Sequence, residues 1–530
     1  MSLIRAFATV SGLTMVSRVF GFARDVLTAA ILGAGPVADA FFVALRLPNL
    51  FRRILAEGAF SIAFVPIFTS ELHGKGHAAA KEFAEQALGV MVPILLILSG
   101  LFVIGMPWVM YVLAPGFADD PLQYGLAVHY ARLTFPYLML MSLAALFGAV
   151  LNALDRFAPF AGMPILFNAI LISALLIAHQ TQIVAGDALA VAVPIAGLAQ
   201  LIFVAWMAAR AGMPLYLPVP KFGPQIRRLF KLMAPAAFGA GVMQVNLFID
   251  TLLASELPQG AISYLFYASQ LYQLPLSVIG IAIGTALLPM LARQVKEADA
   301  NGDMGDVHAS QNRAIEYSLL LALPAAIGLI ALALPIVSTL FERGAFTAAN
   351  ASSTSWALMA YSIGLPGFIV IKVLQTGFYA RHDTTTPVRI AIVTTVINAA
   401  LSVGLIIVLP PLWGHVGIAS ATGITAWLNV LLLSRALRRR GHFAIDDRLA
   451  RRLPRLVAAG LTMAVVIGAA SWATWGRLPN DLTVQAPVLA AIIAGGAIVY
   501  FGTAHLFGGL NLRDLKTLVR RRDTDTGRGA

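Results

Sequence analysis

The chain has 530 residues, of which 59% are hydrophobic and only 12% are charged. Soluble domains carry about 25% charged residues, so this composition excludes a soluble globular protein and predicts a polytopic membrane protein. The 37 Lys and Arg outnumber the 25 Asp and Glu, and the absence of Cys excludes disulfides and thiolate metal sites.

Apolar runs long enough to cross a bilayer recur along the whole chain. A helix of about 20 residues crosses about 30 Å of hydrocarbon. Fourteen such runs cover residues 7–32, 37–70, 84–112, 124–152, 159–179, 187–209, 228–254, 262–292, 313–341, 353–380, 386–409, 415–437, 453–476 and 485–509. The second run contains Pro48, which predicts a broken or tilted helix. We therefore expect an all-α membrane protein with 14 transmembrane helices.

The basic residues test this count. With a cytoplasmic N-terminus, 28 of the 37 basic residues fall in segments on the cytoplasmic side, and two, Arg343 and Arg477, fall outside. Lys and Arg are enriched in cytoplasmic loops, so the pattern predicts that both termini are cytoplasmic. Topology and attraction to anionic lipids account for the net charge, and we expect no nucleic-acid partner.

A proline and an asparagine recur at the same spacing in the two halves of the chain. Pro136 precedes Asn168 by 32 residues, and Pro366 precedes Asn398 by the same interval, an offset of 230. Parallel repeats of this kind are related by an axis along the membrane normal. We therefore expect two six-helix lobes in a pseudo-twofold arrangement, followed by two additional helices. The predicted domains are 1–212, 213–440, helices 13 and 14 in 441–512, and a basic cytoplasmic tail in 513–530.

The first helix carries charges on one side only. At 100° per residue, Ser17, Arg18, Arg24 and Asp25 share an arc of about 140° with other small polar residues. A helix that is polar on one side at membrane depth must turn that side toward protein or a water-filled cavity. Helix 1 is therefore predicted to line such a cavity.

The second helix repeats this pattern in "DAFFVALRLPNLFRRILAEGAF", where Asp39, Arg46, Arg53 and Glu57 share a face. Seven cations and four carboxylates lie within predicted spans: Arg18, Arg24, Arg46, Arg52, Arg53, Arg132 and Lys372 against Asp25, Asp39, Glu57 and Asp250. Ion pairs and side chains that reach the interface account for some of them, including Arg46, Arg53 and Arg132. The excess of arginine favours a site for an anion, because the guanidinium group can bind phosphate oxygens in a bidentate manner.

Five segments carry a resemblance to a known family. They are "SRVFGFARD", "LPNLFRRILAEGAFSIAFVP", "APGFAD", "TFPYLML" and "GFYARHDTTTPVRIAIVT". The chain resembles the MurJ (MviN) family of lipid II flippases, within the multidrug/oligosaccharidyl-lipid/polysaccharide exporter superfamily, over essentially its whole length.

This resemblance implies a transporter and not an enzyme. It implies alternating access that moves lipid II, the undecaprenyl-diphosphate-linked disaccharide-pentapeptide, from the cytoplasmic to the periplasmic leaflet of the bacterial inner membrane, in peptidoglycan and cell wall biogenesis and cell shape. It also implies that helices 13 and 14 form a groove for the lipid tail. We expect a monomer, no bound cofactor, contact with membrane lipids, and division or cell-wall synthesis proteins as candidate partners.

By resemblance, Arg18, Arg24 and Arg52 are the cavity arginines that bind the diphosphate headgroup, accompanied by Asp25, Asp39 and Glu57. Many members carry a further arginine where this chain has Gln270, and Lys372 is the candidate cation that compensates for it. Asp250, with Asn246 one turn earlier, is the candidate ligand pair for a monovalent cation, so coupling to an ion gradient or to the membrane potential is expected.

Other functions remain open at this stage. The same scaffold could carry a different polyprenyl-diphosphate-linked oligosaccharide or another anionic cargo, whereas the excess of cations disfavours a cationic drug. A membrane-embedded enzyme is disfavoured because no loop shows a paired-carboxylate motif for metal and diphosphate. An anion channel is compatible with the charges, but repeated lobes favour a transporter.

Overall fold

The computed structural model describes the backbone of residues 3–242, 244–301, 303–479 and 481–510. Side chains are described for residues 9–54, 58–241, 244–280, 287–298, 303–479 and 481–510. The predicted basic tail, 513–530, lies outside the described residues. Within these ranges the regular secondary structure is entirely helical, without a β-strand.

Ten helices precede residue 260. They are α1 (Leu3–Leu32), α2 (Pro36–Phe51), α3 (Ser61–Lys75), α4 (His77–Leu113), α5 (Pro121–Thr134), α6 (Tyr137–Ala153), α7 (Ala158–Thr181), α8 (Ala185–Arg210), α9 (Pro224–Val242) and α10 (Val245–Ser255). A π-helical segment, Arg52–Phe60, joins α2 to α3, and a short 3-10 turn covers Pro115–Asp119.

Eight helices follow in the described part of the chain. They are α11 (Ala261–Asn301), α12 (Gly305–Ala331), α13 (Ala333–Phe341), α14 (Ala348–Tyr379), α15 (Thr385–Val408), α16 (Gly414–Arg439), α17 (Asp447–Thr474) and α18 (Leu482–Leu506). Short 3-10 turns cover Pro411–Trp413 and Trp475–Arg477.

The described helices form eleven candidate membrane spans, or twelve when α9 and α10, bent by 45° at their junction, are taken as one. Each of these spans coincides with a predicted run. The two remaining runs, 7–32 and 262–292, are helical as α1 and α11 but are not among these candidate spans. The structure therefore confirms an all-α protein with many spans, and the count of 14 stays a prediction.

The helix over the second predicted run, 37–70, is continuous, although Pro48 predicts that it is broken or tilted. Pro48 lies inside α2, and the chain continues through the π-helical segment into α3 as one span of 40 residues. Proline removes a backbone donor from the helical ladder. Here the winding changes to the π form four residues later, at Arg52, and π-helical turns are frequent at functional sites.

Contacts divide the chain into two compact units, 1–263 with 341–347 and 264–340 with 348–530. In the first unit, α1 packs on α7 and α2 packs on α5. Stacked rings fill its core, with Phe64 lying between Phe60 and Phe83 at centroid distances of 4.8 and 5.2 Å. The contacts group α9 and α10 with this unit, and the domain boundaries proposed from the sequence stay a prediction.

The second unit is built around α14 and α16, which pack closely through glycine. A Cβ atom added at Gly364 would lie 2.7 Å from the Cα of Gly423. Small residues permit such close approach of helices in membranes, where dispersion replaces the hydrophobic effect as the driving force. The two backbones are in contact here because neither position carries a side chain.

The motif "GFYARHDTTTPVR" forms the turn between α14 and α15. Asp383 accepts hydrogen bonds from the Thr386 amide at 2.9 Å and the Thr386 hydroxyl at 2.6 Å, and Arg440 donates to it at 2.6 Å. Burial by itself raises the pKa of Asp383, but these hydrogen bonds and the Arg440 charge lower it to about 2. The turn is thus fastened to the end of α16, and the contribution of this ionised carboxylate to stability is lost only as the pH falls from about 4 through about 2.

We expect Gly364→Ala to destabilise the second unit, because the added methyl group meets backbone atoms that cannot rotate away. Overpacking of this kind costs about 1–3 kcal/mol. Thermal unfolding in detergent measures the effect. Gly404→Ala on α15 is the matched control, since an added Cβ meets no atom within 4 Å there. Equal midpoints for the two variants would contradict close packing at Gly364.

Candidate functional site

The polar side of α1 is held against α7 by a guanidinium group. Arg24 donates to Asp25 Oδ1 through Nη2 at 2.6 Å and Nε at 3.1 Å, and through Nη1 to Asn168 Oδ1 at 2.9 Å. Asn168 Nδ2 in turn donates to the Ser17 carbonyl at 3.3 Å. The Arg24 side chain is 18% exposed and that of Asp25 is 4% exposed. Arg24 and Asp25, predicted to act together, are therefore in direct contact.

The apolar side of α1 is the exposed side. Met15 and Val19 are 58% and 68% exposed, as expected for side chains that contact lipid. Arg18 is half-buried and lies on the polar side of the helix, as Arg24 does. This division matches the predicted split of α1 into a polar and an apolar side.

Arg46 and Arg52 differ in their partners. Arg46 Nη1 donates to Thr251 Oγ1 on α10 at 2.5 Å, and Thr251 is 1% exposed. Arg52 Nε donates to Asn49 Oδ1 at 3.3 Å, at the start of the π-helical segment. The side chain of Glu57, the predicted companion of these arginines, lies outside the described residues. The hydrogen bond of Arg46 thus joins α2 to α10 within the first unit, and the hydrogen bond of Arg52 joins it to the end of α2.

Asp39 caps the start of α11. Its carboxylate accepts hydrogen bonds from the amides of Gly260 at 2.6 Å and Ser263 at 2.8 Å, and from the Ser263 hydroxyl at 2.5 Å. It is 2% exposed. The first amides of a helix lack intrahelical acceptors and carry a partial positive charge, so a carboxylate stabilises them. In this conformation Asp39 therefore has a structural task, and its contact with cargo stays a prediction.

Asp250 and Asn246 lie one turn apart on α10. Asn246 Nδ2 donates to Asp250 Oδ2 at 3.4 Å. Among the described residues, Asn246 Oδ1 and Asp250 Oδ1 are buried oxygens without a hydrogen-bond partner. Buried oxygens of this kind suit a hard cation, which requires several oxygen ligands. The pair fits as part of such a ligand set, although the described residues show no cluster of three acidic, His or Cys side chains.

Gln270 and Lys372 belong to the second unit. Gln270 is half-buried on α11, and Lys372 is exposed on α14.

An apolar groove runs between α12, α17 and α18. It has a cavity volume of about 380 Å³. Its lining includes Leu329, Leu332, Met463, Ile467, Ile493 and Phe501. The resemblance implies a lipid-tail groove at the last two helices, and the observed groove lies there, with α12 as its third wall.

A buried carboxylate on α12 joins this side of the groove to α17. Glu316 on α12 accepts hydrogen bonds from Arg448 at 3.1 and 3.2 Å, from Arg313 at 3.1 Å, and also from Arg452. Glu316 is 3% exposed. An ionised side chain at such low exposure requires paired charges, and three guanidinium groups supply them. The beginning of α17 is therefore fastened to α12.

Sequence reasoning missed Asn168 and Thr251 as members of this network. Asn168 served only as a landmark of the repeat, yet it contacts Arg24. The sequence signal is an asparagine inside an apolar run at both positions of the repeat, Asn168 and Asn398. In the structure Asn398 is also buried and donates to Thr425 at 3.1 Å. A buried amide at membrane depth requires a polar partner, so both positions indicate polar contacts between helices.

Comparison with known proteins places this chain in a family. The family model "Lipid II flippase MurJ" matches residues 28–477. A probable lipid II flippase MurJ of Rhizobium meliloti (strain 1021) is 42% identical over 530 residues, covering 98% of this chain and 97% of the relative. A lipid II flippase MurJ of Burkholderia cenocepacia is 36% identical over 521 residues, covering 96% of this chain and 98% of the relative.

Solved structures show the same similarity. The structure titled "Lipid II flippase MurJ, inward closed conformation" matches with a TM-score of 0.77 and 25% identity, over 96% of this chain and 99% of that one. An inward-facing multidrug resistance MATE family transporter of the MOP superfamily matches with a TM-score of 0.66 and 15% identity, over 82% of this chain and 97% of that one, which shows the fold alone. From the family model, the relatives and the first of these structures together, we conclude that this chain belongs to the MurJ lipid II flippase family.

Proposed function

We propose that this protein is a transporter that moves lipid II from the cytoplasmic to the periplasmic leaflet by alternating access, with no covalent change to the lipid. Similarity to lipid II flippases over 98% of the chain supports this function. The main structural observation that supports binding of an anionic cargo is the Arg24 guanidinium group, which Asp25 and Asn168 hold at membrane depth. Since family members are named for lipid II, that cargo is favoured over another polyprenyl-diphosphate-linked oligosaccharide.

The diphosphate of the cargo binds to Arg18, Arg24 and Arg52. Arg24 is preorganised by two partners, and its 18% exposure leaves part of the guanidinium group accessible. Positively charged side chains that are already in place gain more from a phosphate than mobile ones, because less conformational entropy is lost on binding. Asp25 offsets the charge of Arg24 while the site is empty. Asp39, Glu57 and Gln270 complete the proposed set of headgroup contacts.

The undecaprenyl chain of the cargo occupies the apolar groove between α12, α17 and α18. The groove of about 380 Å³ has an almost entirely apolar lining, which suits part of a prenyl chain and offers no partner to a sugar or peptide. The hydrogen bonds from arginines to Glu316 join α12 to α17, which form two of the walls of the groove.

The protein acts in the bacterial inner membrane as a monomer with 14 transmembrane helices and both termini in the cytoplasm. The alternation of basic loops supports this topology. Proteins of division or cell-wall synthesis are candidate partners, and the chain needs no cofactor. A monovalent cation at Asp250 and Asn246, or the membrane potential, supplies the energy of the cycle.

We expect Arg18→Ala, Arg24→Ala and Arg52→Ala each to abolish growth of a bacterium depleted of its own lipid II flippase, with normal protein levels in the membrane. Loss of one charged contact to phosphate costs about 1.5–3 kcal/mol. Arg132→Ala is the control and should support growth, because Arg132 is exposed and donates to the Val103 carbonyl at 3.0 Å, away from the proposed headgroup contacts. A leaflet-resolved assay with labelled lipid II and purified protein measures the activity itself. Growth of all three alanine variants would overturn the assignment.

Filling the groove should impair transport of long-chain lipid. Gly328 lines the groove, and an added Cβ meets no atom within 4 Å there, so Gly328→Phe places a ring in the open space without a clash at its base. We expect slower flipping of lipid II that carries its full prenyl chain and little change for a short-chain analogue. Gly468→Phe on α17 is the matched control, because it has equal room but lies outside the groove lining. Equal rates for the two variants would refute a tail in this groove.

Sodium dependence tests the proposed cation site. If sodium stimulates flipping, Asp250→Asn should remove most of the stimulation, because it replaces the only charged ligand of the pair by a neutral amide. Asp187→Asn is the control, since Asp187 is a 42% exposed carboxylate near His129. Sodium titrations of the flipping rate and of ²²Na binding give the readout. Unchanged sodium dependence in Asp250→Ala would exclude the site.

A further inference from the structure

The segment between α8 and α9, residues 213–223, exposes large apolar side chains although it lies outside the candidate membrane spans. It forms neither helix nor strand, and we call it the linker. Four of its side chains are more than half exposed: Tyr216 at 68%, Leu217 at 62%, Val219 at 77% and Phe222 at 57%. A cluster of exposed apolar side chains marks an interaction surface. The position of the linker relative to the membrane identifies the partner of this surface.

The middle of the linker is attached to α4. The Tyr216 amide donates to Glu85 Oε1 at 3.0 Å, and Lys81 Nζ lies 4.9 Å from the centre of the Tyr216 ring. Pro218 packs on Gly89, where an added Cβ atom would lie 2.9 Å from the Pro218 carbonyl oxygen. The two exposed neighbours of Pro218 therefore extend from a backbone that α4 holds in place.

The end of α8 places the start of the linker at the membrane interface. Ile202 and Trp206 are 60% and 48% exposed, as expected for side chains that contact lipid. The Arg210 guanidinium group lies 3.9 Å from the centre of the Trp206 ring. Tryptophan and arginine at the end of a span are typical of the boundary between hydrocarbon and headgroups. The Met213 amide donates to the Ala208 carbonyl at 3.0 Å, so the chain turns back at this level.

The contact with α4 places the middle of the linker at a similar level. After Gly89, on which Pro218 packs, the first large apolar side chain of α4 that is exposed is Ile94, at 41%. Five residues of helix span about 7.5 Å, and a bend at Pro93 can only shorten this distance along the membrane normal. Each headgroup layer of a bilayer is about 5–7.5 Å thick. Pro218 therefore lies in the headgroup layer, within reach of the acyl chains for its apolar neighbours.

The linker and the residues on either side of it carry only positive charge. Between residues 210 and 231 the sequence has five basic and no acidic residues, and all five are exposed: Arg210, Lys221, Arg227, Arg228 and Lys231. Glu71 and Glu85, which hydrogen-bond to this region, are paired with Lys75 and Lys81 on their own helices. Basic residues beside exposed apolar and aromatic side chains are typical of segments that bind a surface of anionic phospholipid.

We propose that the linker binds the headgroup layer of the membrane, with its basic side chains on anionic phospholipid and Leu217, Val219 and Phe222 at the boundary of the acyl chains. The leaflet is the one that the basic loops predict to be cytoplasmic. This surface is continuous with the lipid-contacting sides of α4 and α8, which end where the linker lies. The linker thereby attaches the end of α8 and the start of α9 to the membrane surface, a role separate from the binding of cargo.

The absence of cysteine from the chain permits a direct test of the depth of the linker. Val219→Cys provides a single thiol for a bimane fluorophore, at a position whose 77% exposure leaves room for the label. The labelled full-length protein is reconstituted in vesicles of phosphatidylcholine and phosphatidylglycerol. We expect phospholipid with a nitroxide near the headgroup end of its acyl chain to quench the bimane strongly. Acrylamide dissolved in the water should quench it only weakly.

Ile97→Cys and Gly74→Cys are the matched controls. Ile97 is 63% exposed on α4, and its label should be quenched by the nitroxide lipid alone. An added Cβ at Gly74 meets no atom within 4 Å, and α4 begins at His77, about 18 Å before Gly89. A label at 74 should therefore be quenched by acrylamide alone. A label at 219 with the same free access to acrylamide would overturn the proposal and leave this surface to a protein partner, because the vesicles contain no other protein.

The same label at 219 tests the charge of the bound lipid. Phosphatidylglycerol that carries the nitroxide should quench about fivefold more effectively than phosphatidylcholine that carries it, the factor expected for the attraction of one basic side chain at the surface. Lys221→Gln, Arg227→Gln and Arg228→Gln combined should remove this preference and leave the access of acrylamide unchanged. Equal quenching by the two lipids in the protein with its basic residues intact would refute binding to anionic phospholipid.

These quenching measurements need no lipid II, so they are independent of the proposed transport function. If the protein flips lipid II while the label at 219 is open to acrylamide, the flippase function stands and the membrane contact of the linker is refuted. If the label is quenched by lipid while lipid II is not flipped, the membrane contact stands and the flippase function is refuted.

Discussion

The cost of placing charge within hydrocarbon is the constraint on which this structure depends. A guanidinium group in a membrane span requires a partner or water, and Arg24 has Asp25 on its own helix and Asn168 on α7. This network joins α1 to α7 and at the same time holds a positive charge in position. The contacts that join α1 to α7 in the first unit therefore involve the same residues as the proposed headgroup site.

Buried carboxylates serve two different purposes in this protein. Glu316 is enclosed by three arginines and fastens α17 to α12, whereas Asp39 caps the first turn of α11. Both are satisfied by several donors, as burial of an ionised group requires. Asp250 differs, because one of its oxygens lacks a donor among the described residues. The proposed cation site rests on this unsatisfied oxygen.

The second unit also depends on small residues. Gly364 and Gly423 bring α14 and α16 into backbone contact, and Gly280 leaves room for the side chain of Lys372. Glycine is costly in an isolated helix, but in a membrane it allows helices to approach and makes space for long side chains. The same helix, α14, thus packs tightly against α16 and carries an exposed cation, Lys372.

The sequence by itself determined the membrane class, the positions of most spans, the polar side of α1 and the family, because hydropathy and helical periodicity are local properties. It also placed Arg24 and Asp25 on the same polar side of α1, because that side follows from helical periodicity. Only the tertiary structure decided the partners across large separations: Asn168 lies 144 residues from Arg24, and Gly260 lies 221 residues from Asp39. Periodicity states which side of a helix is polar, but the identity of the helix that faces it depends on how all the spans pack together.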